Sequence, residues 1–169
     1  TLFALEAARE AAGQQHTLII VEGYFDAVAL HQAGIRHVAA TLGTALTAEH
    51  ITVIRRFASN VVLLFDPDQA GVRAALRTLD LFVNSGLSVK VVSLPEGDDP
   101  DTYVRKYGAE GFTALHEAAP SLLDFAVEHS LRTAESGTVE DRIRAVDEVL
   151  RILQKSAHPI EREERIRLV

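Results

Sequence analysis

Seven acidic residues of the sequence are gathered in three short clusters. They are Glu22 and Asp26 in E-G-Y-F-D, Asp66 and Asp68 in F-D-P-D-Q-A-G, and Asp98, Asp99 and Asp101 in E-G-D-D-P-D. Two carboxylates about 4 Å apart repel each other by roughly 4 kcal/mol at an effective dielectric of about 20, so a folded cluster needs protons or cations. Oxygen ligands in a chain without cysteine favour a hard cation, Mg²⁺ or Mn²⁺, which keeps open positions for phosphate oxygens. The clusters therefore predict a metal-dependent phosphate site.

The D-P-D segment is the strongest candidate for direct metal ligation. Asp66 and Asp68 are separated by Pro67, which restrains the backbone, so both carboxylates can face one ion. A turn explains the same segment, and Glu22 taken alone would be ambiguous, but the two together favour chemistry. Asp26 and Asp98 fit helix N-caps equally well.

Candidates for phosphate contact are less specific than the acidic clusters. Gly43 and Gly71 are candidates for backbone contact with phosphate, although a turn or a close-packing glycine explains either one. The basic candidates lie on predicted helices, where a solvated face is the default explanation. They are Arg55, Arg56, Arg73, Arg77, Arg105 and Lys106.

Alternating strand and helix signals in the first half predict an α/β fold with a parallel sheet of about four strands covered by helices on both faces. The predicted strands are 18–21, 37–40, 61–65 and 89–94, and the predicted helices between them are 24–33, about 47–57 and about 69–84. The acidic clusters follow the first, third and fourth strands. Ligand sites of such sheets lie beyond the carboxyl ends of the strands, so the clusters converge if those three strands are neighbours.

The second half has no comparable strand signal and predicts an α-helical subdomain. Its predicted helices are 101–107, 110–118, 121 to about 132 and 140–155, with 159–169 as the start of another. Thr138 followed by Asp141 is an N-terminal capping pattern.

Composition limits the class of protein. A net charge of −7 excludes a nucleic-acid binder that relies on overall positive charge, but not one that meets phosphates through metal ions. The absence of cysteine excludes disulfides, thiolate metal sites and cysteine nucleophiles. No apolar run approaches the roughly 20 residues of a membrane span, and there is no signal peptide. A chain that starts at Thr1 and contains no methionine is expected to be a piece of a longer protein.

Four segments together resemble the toprim region of bacterial DnaG-type primases. They are I-I-V-E-G-Y-F-D-A-V-A-L-H-Q-A-G at 19–34, A-T-L-G-T-A-L-T-A-E-H at 40–50, F-D-P-D-Q-A-G at 65–71 and L-P-E-G-D-D-P-D at 94–101. All toprim proteins share a glutamate and a D-x-D, whereas the E-G-Y-x-D, L-G-T-A-L-T and D-P-D extensions are more specific to primases. The resemblance covers roughly residues 2–125 and implies a linking segment or helix over 1–16, a toprim domain over 17–105 and a truncated helical subdomain over 106–169.

The resemblance also implies roles for individual residues. Glu22, Asp66 and Asp68 match the catalytic and metal-ligating acids, with Asp99 and Asp101 as further metal ligands and Asp26, Gly23 and Gly71 as additional active-site positions. The family is bacterial and cytoplasmic, and it uses Mg²⁺ or Mn²⁺ to join ribonucleoside triphosphates into a short RNA primer on a single-stranded DNA template. Pro67 departs from the family, where glycine is common in the D-x-D.

Three parts of such a primase are expected to be absent from the sequence. They are the zinc-binding domain, the preceding half of the polymerase domain, and the C-terminal domain that binds the replicative helicase. The fragment by itself is therefore expected to bind metal but to be weakly active or inactive. Two alternatives remain open: another toprim enzyme that cleaves DNA, of the topoisomerase or nuclease type, and a phospho-acceptor signalling domain.

Overall fold

All four predicted strands form and pair in one parallel sheet. The computed structural model describes residues 1–43, 45–65, 78–83, 85–135 and 138–154. The strands are β1 (Thr17–Val21), β2 (Val38–Ala40), β3 (Asn60–Phe65) and β4 (Ser88–Ser93). Their order across the sheet is β2-β1-β3-β4, and every neighbouring pair is parallel. The first, third and fourth strands are thus adjacent, which is the condition for their acidic clusters to share one edge.

Helices connect the strands and make up the described part of the second half. They are α1 (Leu5–Gln15), α2 (Tyr24–Gln32), α3 (Ala48–Ile54), α4 (Pro100–Ala118), α5 (Leu122–Glu135) and α6 (Val139–Gln154). Within the predicted helix at 69–84, residues 78–82 are helical and the earlier positions lie outside the described residues, as does everything after 154. None of the helices in the described part of the chain has the length and apolarity to cross a membrane.

The predicted helix at 47–57 is shorter in the structure, whereas the break predicted between 107 and 110 is present. Thr47 caps α3 as predicted, because its hydroxyl accepts from the amide of His50, but the helix ends at Ile54 and residues 55–57 form a turn. The two helices expected at 101–107 and 110–118 are confirmed, because α4 consists of two helical stretches on either side of Gly108, whose φ of 67° and ψ of −176° are not helical. Glycine adopts this backbone at little cost, which explains the break.

The apolar runs of the strands are explained by burial on both faces of the sheet. Leu18 and Ile20 of β1 face a core that includes the buried Ala8 and Ala12 of α1. Ile19 and Val21 face the other core, which α2 and α4 cover. Alternation along β1 therefore divides one continuous apolar run between two cores.

Hydrogen bonds from neighbouring segments reach both edge strands of the sheet, β2 and β4. Phe3 exchanges two hydrogen bonds with Ala40 of β2, at 2.8 and 3.0 Å. On the opposite edge, the amide of Val91 in β4 donates to the carbonyl of Pro120 (3.0 Å), and the Lys90 ammonium donates to the carbonyl of Glu117 (2.6 Å). These contacts leave the carboxyl end of the sheet as the place where loops and helix N-termini gather.

Candidate active site

Glu22 lies at the carboxyl end of β1, directly beside β3. Ile20 pairs with Leu63, so the same register brings Glu22 level with Phe65, the last residue of β3. Glu22 is partly buried, and its Oε1 atom is fully buried. Several predicted site residues lie outside the described residues: Asp66, Asp68, Gly71, Arg73 and Arg77. Asp66 follows Phe65 directly in the sequence.

A second loop is hydrogen bonded to the end of β1. The amide of Thr41 donates to the carbonyl of Val21, and the amide of Leu42 donates to the carbonyl of Glu22, both at 3.0 Å. Leu42 has a φ of 58° and Gly43 a φ of 73°, so two consecutive residues adopt the left-handed conformation. The side chain of Leu42 is 48% exposed. The loop is thereby held against Glu22 at Thr41 and Leu42.

Gly23 and Asp26 form the N-terminal cap of α2. Asp26 Oδ2 accepts a hydrogen bond from the Gly23 amide at 3.1 Å. A Cβ at Gly23 would lie 2.8 Å from that same oxygen, which is closer than packed atoms allow. Glycine therefore leaves room for the Asp26 carboxylate at this position, and at least one Asp26 oxygen is engaged in holding the helix beside Glu22.

The acidic cluster after β4 divides its charges among protein partners. Asp98 is buried and forms an ion pair with the half-exposed Lys106. Asp99 caps α4, because its Oδ1 accepts from the Thr102 amide at 2.7 Å, and Pro100 follows at the first helical position. Asp101 Oδ1 accepts from Arg105 Nε at 2.9 Å. Each acid of this cluster thus has a contact that stabilises the start of α4.

These hydrogen bonds shift the pKa values of Asp99 and Lys106 in the directions that favour the charged forms. Hydrogen bonds from Thr102 hold the pKa of Asp99 below its ordinary value. The hydrogen bond to Asp98 raises the pKa of Lys106 above its ordinary value. Both groups are therefore charged at neutral pH, and Lys106 offsets one negative charge of the cluster.

A complete metal site would have to include residues beyond the described ones. Among the residues that the structure describes, no group of three or more His, Cys, Asp or Glu side chains converges on one point. The donor set that the edge of the sheet offers is Glu22, with Asp66 and Asp68 following β3. All are carboxylates, which fits Mg²⁺ or Mn²⁺, because Mg²⁺ binds through one or two carboxylates and keeps waters or phosphate oxygens elsewhere.

Arg55 and Arg56 lie near the amino-terminal ends of β1 and β3, opposite the end of the sheet where Glu22 lies. They follow α3, a few residues before Asn60, whose amide donates to the carbonyl of His16 at 2.9 Å where β1 begins. The five residue steps from Thr17 to Glu22 separate this end of the sheet from Glu22 by about 16 Å. Together with His16 they line a shallow groove, away from the acidic clusters.

Sequence reasoning missed the ion pair between Asp98 and Lys106. Eight positions separate the two residues, a spacing that the i, i+3 and i, i+4 pairing rule for helices does not single out. The cap at Asp99 had a detectable signal, because aspartate followed by proline is typical of a helix start. The expected role of Asp99 as a metal ligand stays a prediction.

The fold and the sheet edge define a toprim-like domain, and the family model described as Toprim-like matches residues 19–104. The chain therefore belongs to the toprim-like family.

Within that class its relatives are bacterial primases. It is 40% identical over 147 residues to the DNA primase of Clostridium acetobutylicum, which covers 87% of this chain and 24% of that protein. It is 35% identical to the catalytic core of Escherichia coli primase, with a TM-score of 0.81 over 97% of this chain and 53% of that one. A DnaG primase catalytic domain bound to single-stranded DNA has 34% identity and a TM-score of 0.81, covering 97% of this chain and 54% of that one. These matches make the chain a segment of the DnaG type.

The chain covers only part of its primase relatives. The chain spans about a quarter of the length of the curated relatives it matches. The expectation that the helicase-binding region is absent is wrong, because a family model described as the DnaB-helicase binding domain of primase matches residues 123–169. An all-helical stretch without sequence motifs gave no means of recognising that region.

Proposed function

We propose that this chain is part of the catalytic core of a primase, an enzyme that makes short RNA primers on single-stranded DNA by metal-dependent nucleotidyl transfer. The observation that carries the proposal is the adjacency of β1 and β3, because it brings Glu22 beside the strand that D-P-D follows. The primase relatives and the DnaG catalytic domain bound to single-stranded DNA support the same reaction and template. They favour primer synthesis over DNA cleavage or phospho-acceptor signalling.

In the proposed reaction the 3′-hydroxyl of the growing primer attacks the α-phosphorus of a ribonucleoside triphosphate. A phosphorus–oxygen bond forms, the bond to pyrophosphate breaks, and the hydroxyl proton is released. Bound Mg²⁺ or Mn²⁺ would supply the positive charge that lowers the pKa of the hydroxyl and neutralises the triphosphate. Glu22, Asp66 and Asp68 are the residues that would hold the metal.

The other residues of the edge orient this donor set. The Asp26 cap fixes the start of α2 directly after Glu22, and the Leu42 amide holds the carbonyl of Glu22. Asp99 and Asp101 lie at the N-terminus of α4, where a helix favours negative charge and backbone amides can meet phosphate. Asp99 and Asp101 are proposed as outer metal or water ligands through the carboxylate oxygens that their protein contacts leave available.

The decisive experiment is primer synthesis on single-stranded DNA by the protein at the full length of its primase relatives. Glu22→Gln keeps the size of the side chain and removes its charge, so we expect activity to fall about 100-fold or more. Glu10→Gln on the exposed face of α1 is the matched control and should retain full activity. Equal activity of the two variants would refute the assignment of Glu22.

A calorimetric titration with Mn²⁺ tests the metal separately from catalysis. Asp66→Asn and Asp68→Asn should each abolish binding, whereas Asp147→Asn on α6 should leave it unchanged. Unaltered Mn²⁺ affinity in both D-P-D variants would contradict the proposed site.

The match of residues 123–169 supports a second partner. We assign the replicative helicase as a partner of the helical part of the chain, which begins within α5. Pull-down of the helicase by residues 1–169, and its loss on deletion of 123–169, tests this assignment. Retention of the helicase after the deletion would overturn it.

A further inference from the structure

Three aromatic side chains form an exposed patch beside Glu22. Phe3, Tyr24 and Phe25 are 38%, 46% and 70% exposed. The ring centroids of Tyr24 and Phe25 are 4.2 Å apart, and those of Phe3 and Tyr24 are 6.1 Å apart in an edge-on arrangement. We call these three residues the aromatic surface. Tyr24, one of its members, lies two residues after Glu22 in the sequence.

The aromatic surface lies on the side of α2 that faces away from the core. Ala27 and Leu30 bury the inner side of the helix, at 1% and 0% exposure. On the outer side, Phe25 and the 39% exposed Val28 occupy positions where polar residues are usual. Contiguous apolar surface of this kind on a soluble domain is typical of a binding site.

A groove along α2 continues the aromatic surface toward a positive charge. It starts at Phe3, runs past Val28 and Gln32, and ends at Arg36. Arg36 is exposed, and among the described residues no carboxylate lies within ion-pair distance of its guanidinium. The surface thus offers aromatic rings at one end and a cation at the other. That combination suits a single-stranded nucleic acid, whose bases stack on rings and whose phosphates meet cations.

We propose that the aromatic surface stacks a base of single-stranded DNA and that the groove leads the DNA backbone to Arg36. The proposal rests on the proposed function only in identifying that strand as the template. A net charge of −7 leaves this chain little general attraction for DNA, so base stacking supplies affinity that electrostatics does not. Stacking tolerates any base sequence, because every base has an aromatic face.

The sequence contains no tryptophan, which allows a direct test on this chain. Phe25→Trp introduces a single indole on the aromatic surface, and its fluorescence should be quenched by a short oligothymidylate. Val53→Trp is the control, because Val53 is an exposed apolar residue on α3, away from the aromatic surface, and the indole introduced there should not be quenched. Equal quenching at both positions, or none at Phe25→Trp, would overturn the proposal. Quenching at Phe25→Trp by ribonucleoside triphosphates but not by DNA would overturn the assignment to a single strand.

A kinetic test in the full-length protein separates positioning from folding. Phe25→Ala should raise KM for the template about tenfold with little change in kcat, and Phe25→Tyr should restore KM. An unchanged KM, or a fall in kcat alone, would contradict stacking.

Arg36→Gln should reduce the salt dependence of DNA binding by about one phosphate contact. Glu22→Gln should leave the DNA-induced quenching intact while primer synthesis is lost, so failure of this proposal and failure of the proposed function give different results.

Discussion

The backbone amide of Leu42 donates a hydrogen bond to the backbone carbonyl of Glu22 over 3.0 Å. Leu42 makes this contact from a left-handed conformation, with a φ of 58°, that side chains with a Cβ rarely adopt. The loop after β2 is therefore strained at the point where it meets the candidate catalytic glutamate. Strain of this kind is often found at functional sites, where the surrounding structure maintains it.

The strain at Leu42 predicts an unusual order of stabilities. Leu42→Gly should raise the free energy of unfolding by up to about 1 kcal/mol, because glycine adopts a positive φ without steric cost. Leu42→Val should lower it by about 1 kcal/mol or more, since a β-branched side chain tolerates this backbone worst. Urea denaturation of the two variants measures both effects. A glycine variant less stable than the valine variant would contradict the strained conformation.

The capping contact of Asp26 predicts a separation between stability and activity. Asp26→Asn keeps an oxygen that accepts from the Gly23 amide, so stability should stay within about 0.5 kcal/mol of the parent, whereas Asp26→Ala should cost about 1 kcal/mol. We expect the Asp26 carboxylate also to serve the metal site, because Asp26 lies close to Glu22. Asp26→Asn should therefore still lose about tenfold or more of primer synthesis. Full activity of Asp26→Asn would limit the residue to capping.

The pKa of Asp99 should respond to its neighbour Thr102. Hydrogen bonds from Thr102 lower the pKa of Asp99, so Thr102→Val, which removes the hydroxyl and keeps the amide, should raise that pKa toward its ordinary value. A carboxyl with a lowered folded-state pKa stabilises the fold above its unfolded pKa and loses that contribution as the pH falls through the folded pKa. The variant should therefore lose less stability in acid. NMR titration of the Asp99 carboxyl measures the shift, and Thr113→Val farther along α4 should leave it unchanged.

Buried His37 should make the protein sensitive to mild acid. The side chain is 6% exposed, and its Nδ1 is buried with no hydrogen-bond partner among the described residues. Burial, reinforced by His116 and His31, lowers the pKa of His37 from 6.5 to about 4. Between these two pH values the unfolded chain binds a proton that the folded chain does not, so stability falls with falling pH by up to about 3 kcal/mol.

Unfolding measured from pH 8 to pH 4 tests this dependence. His37→Leu should remove most of the loss below pH 6.5, whereas His16→Asn should not, because His16 is exposed and asparagine tolerates its left-handed backbone (φ 52°). An identical acid dependence in the parent and the His37 variant would assign the loss to other groups.

The sequence by itself determined the strands, their parallel arrangement and the positions of the acidic clusters. Apolar runs such as 61–65 specify buried strands because water is excluded from both faces, and this property is local to the run. The motif around Glu22 likewise needed no coordinates. The reason is that residue type and spacing alone define such a motif.

The tertiary structure alone decided which acids are committed to protein contacts. No sequence pattern indicated that Asp98 is paired, and only the folded chain shows its contact with Lys106. The same holds for Arg55 and Arg56, which α3 carries to the end of the sheet opposite Glu22, and for Phe3, which joins Tyr24 only because the N-terminal segment pairs with β2. Such contacts join residues distant in sequence, and their free energies arise from packing that no local pattern encodes.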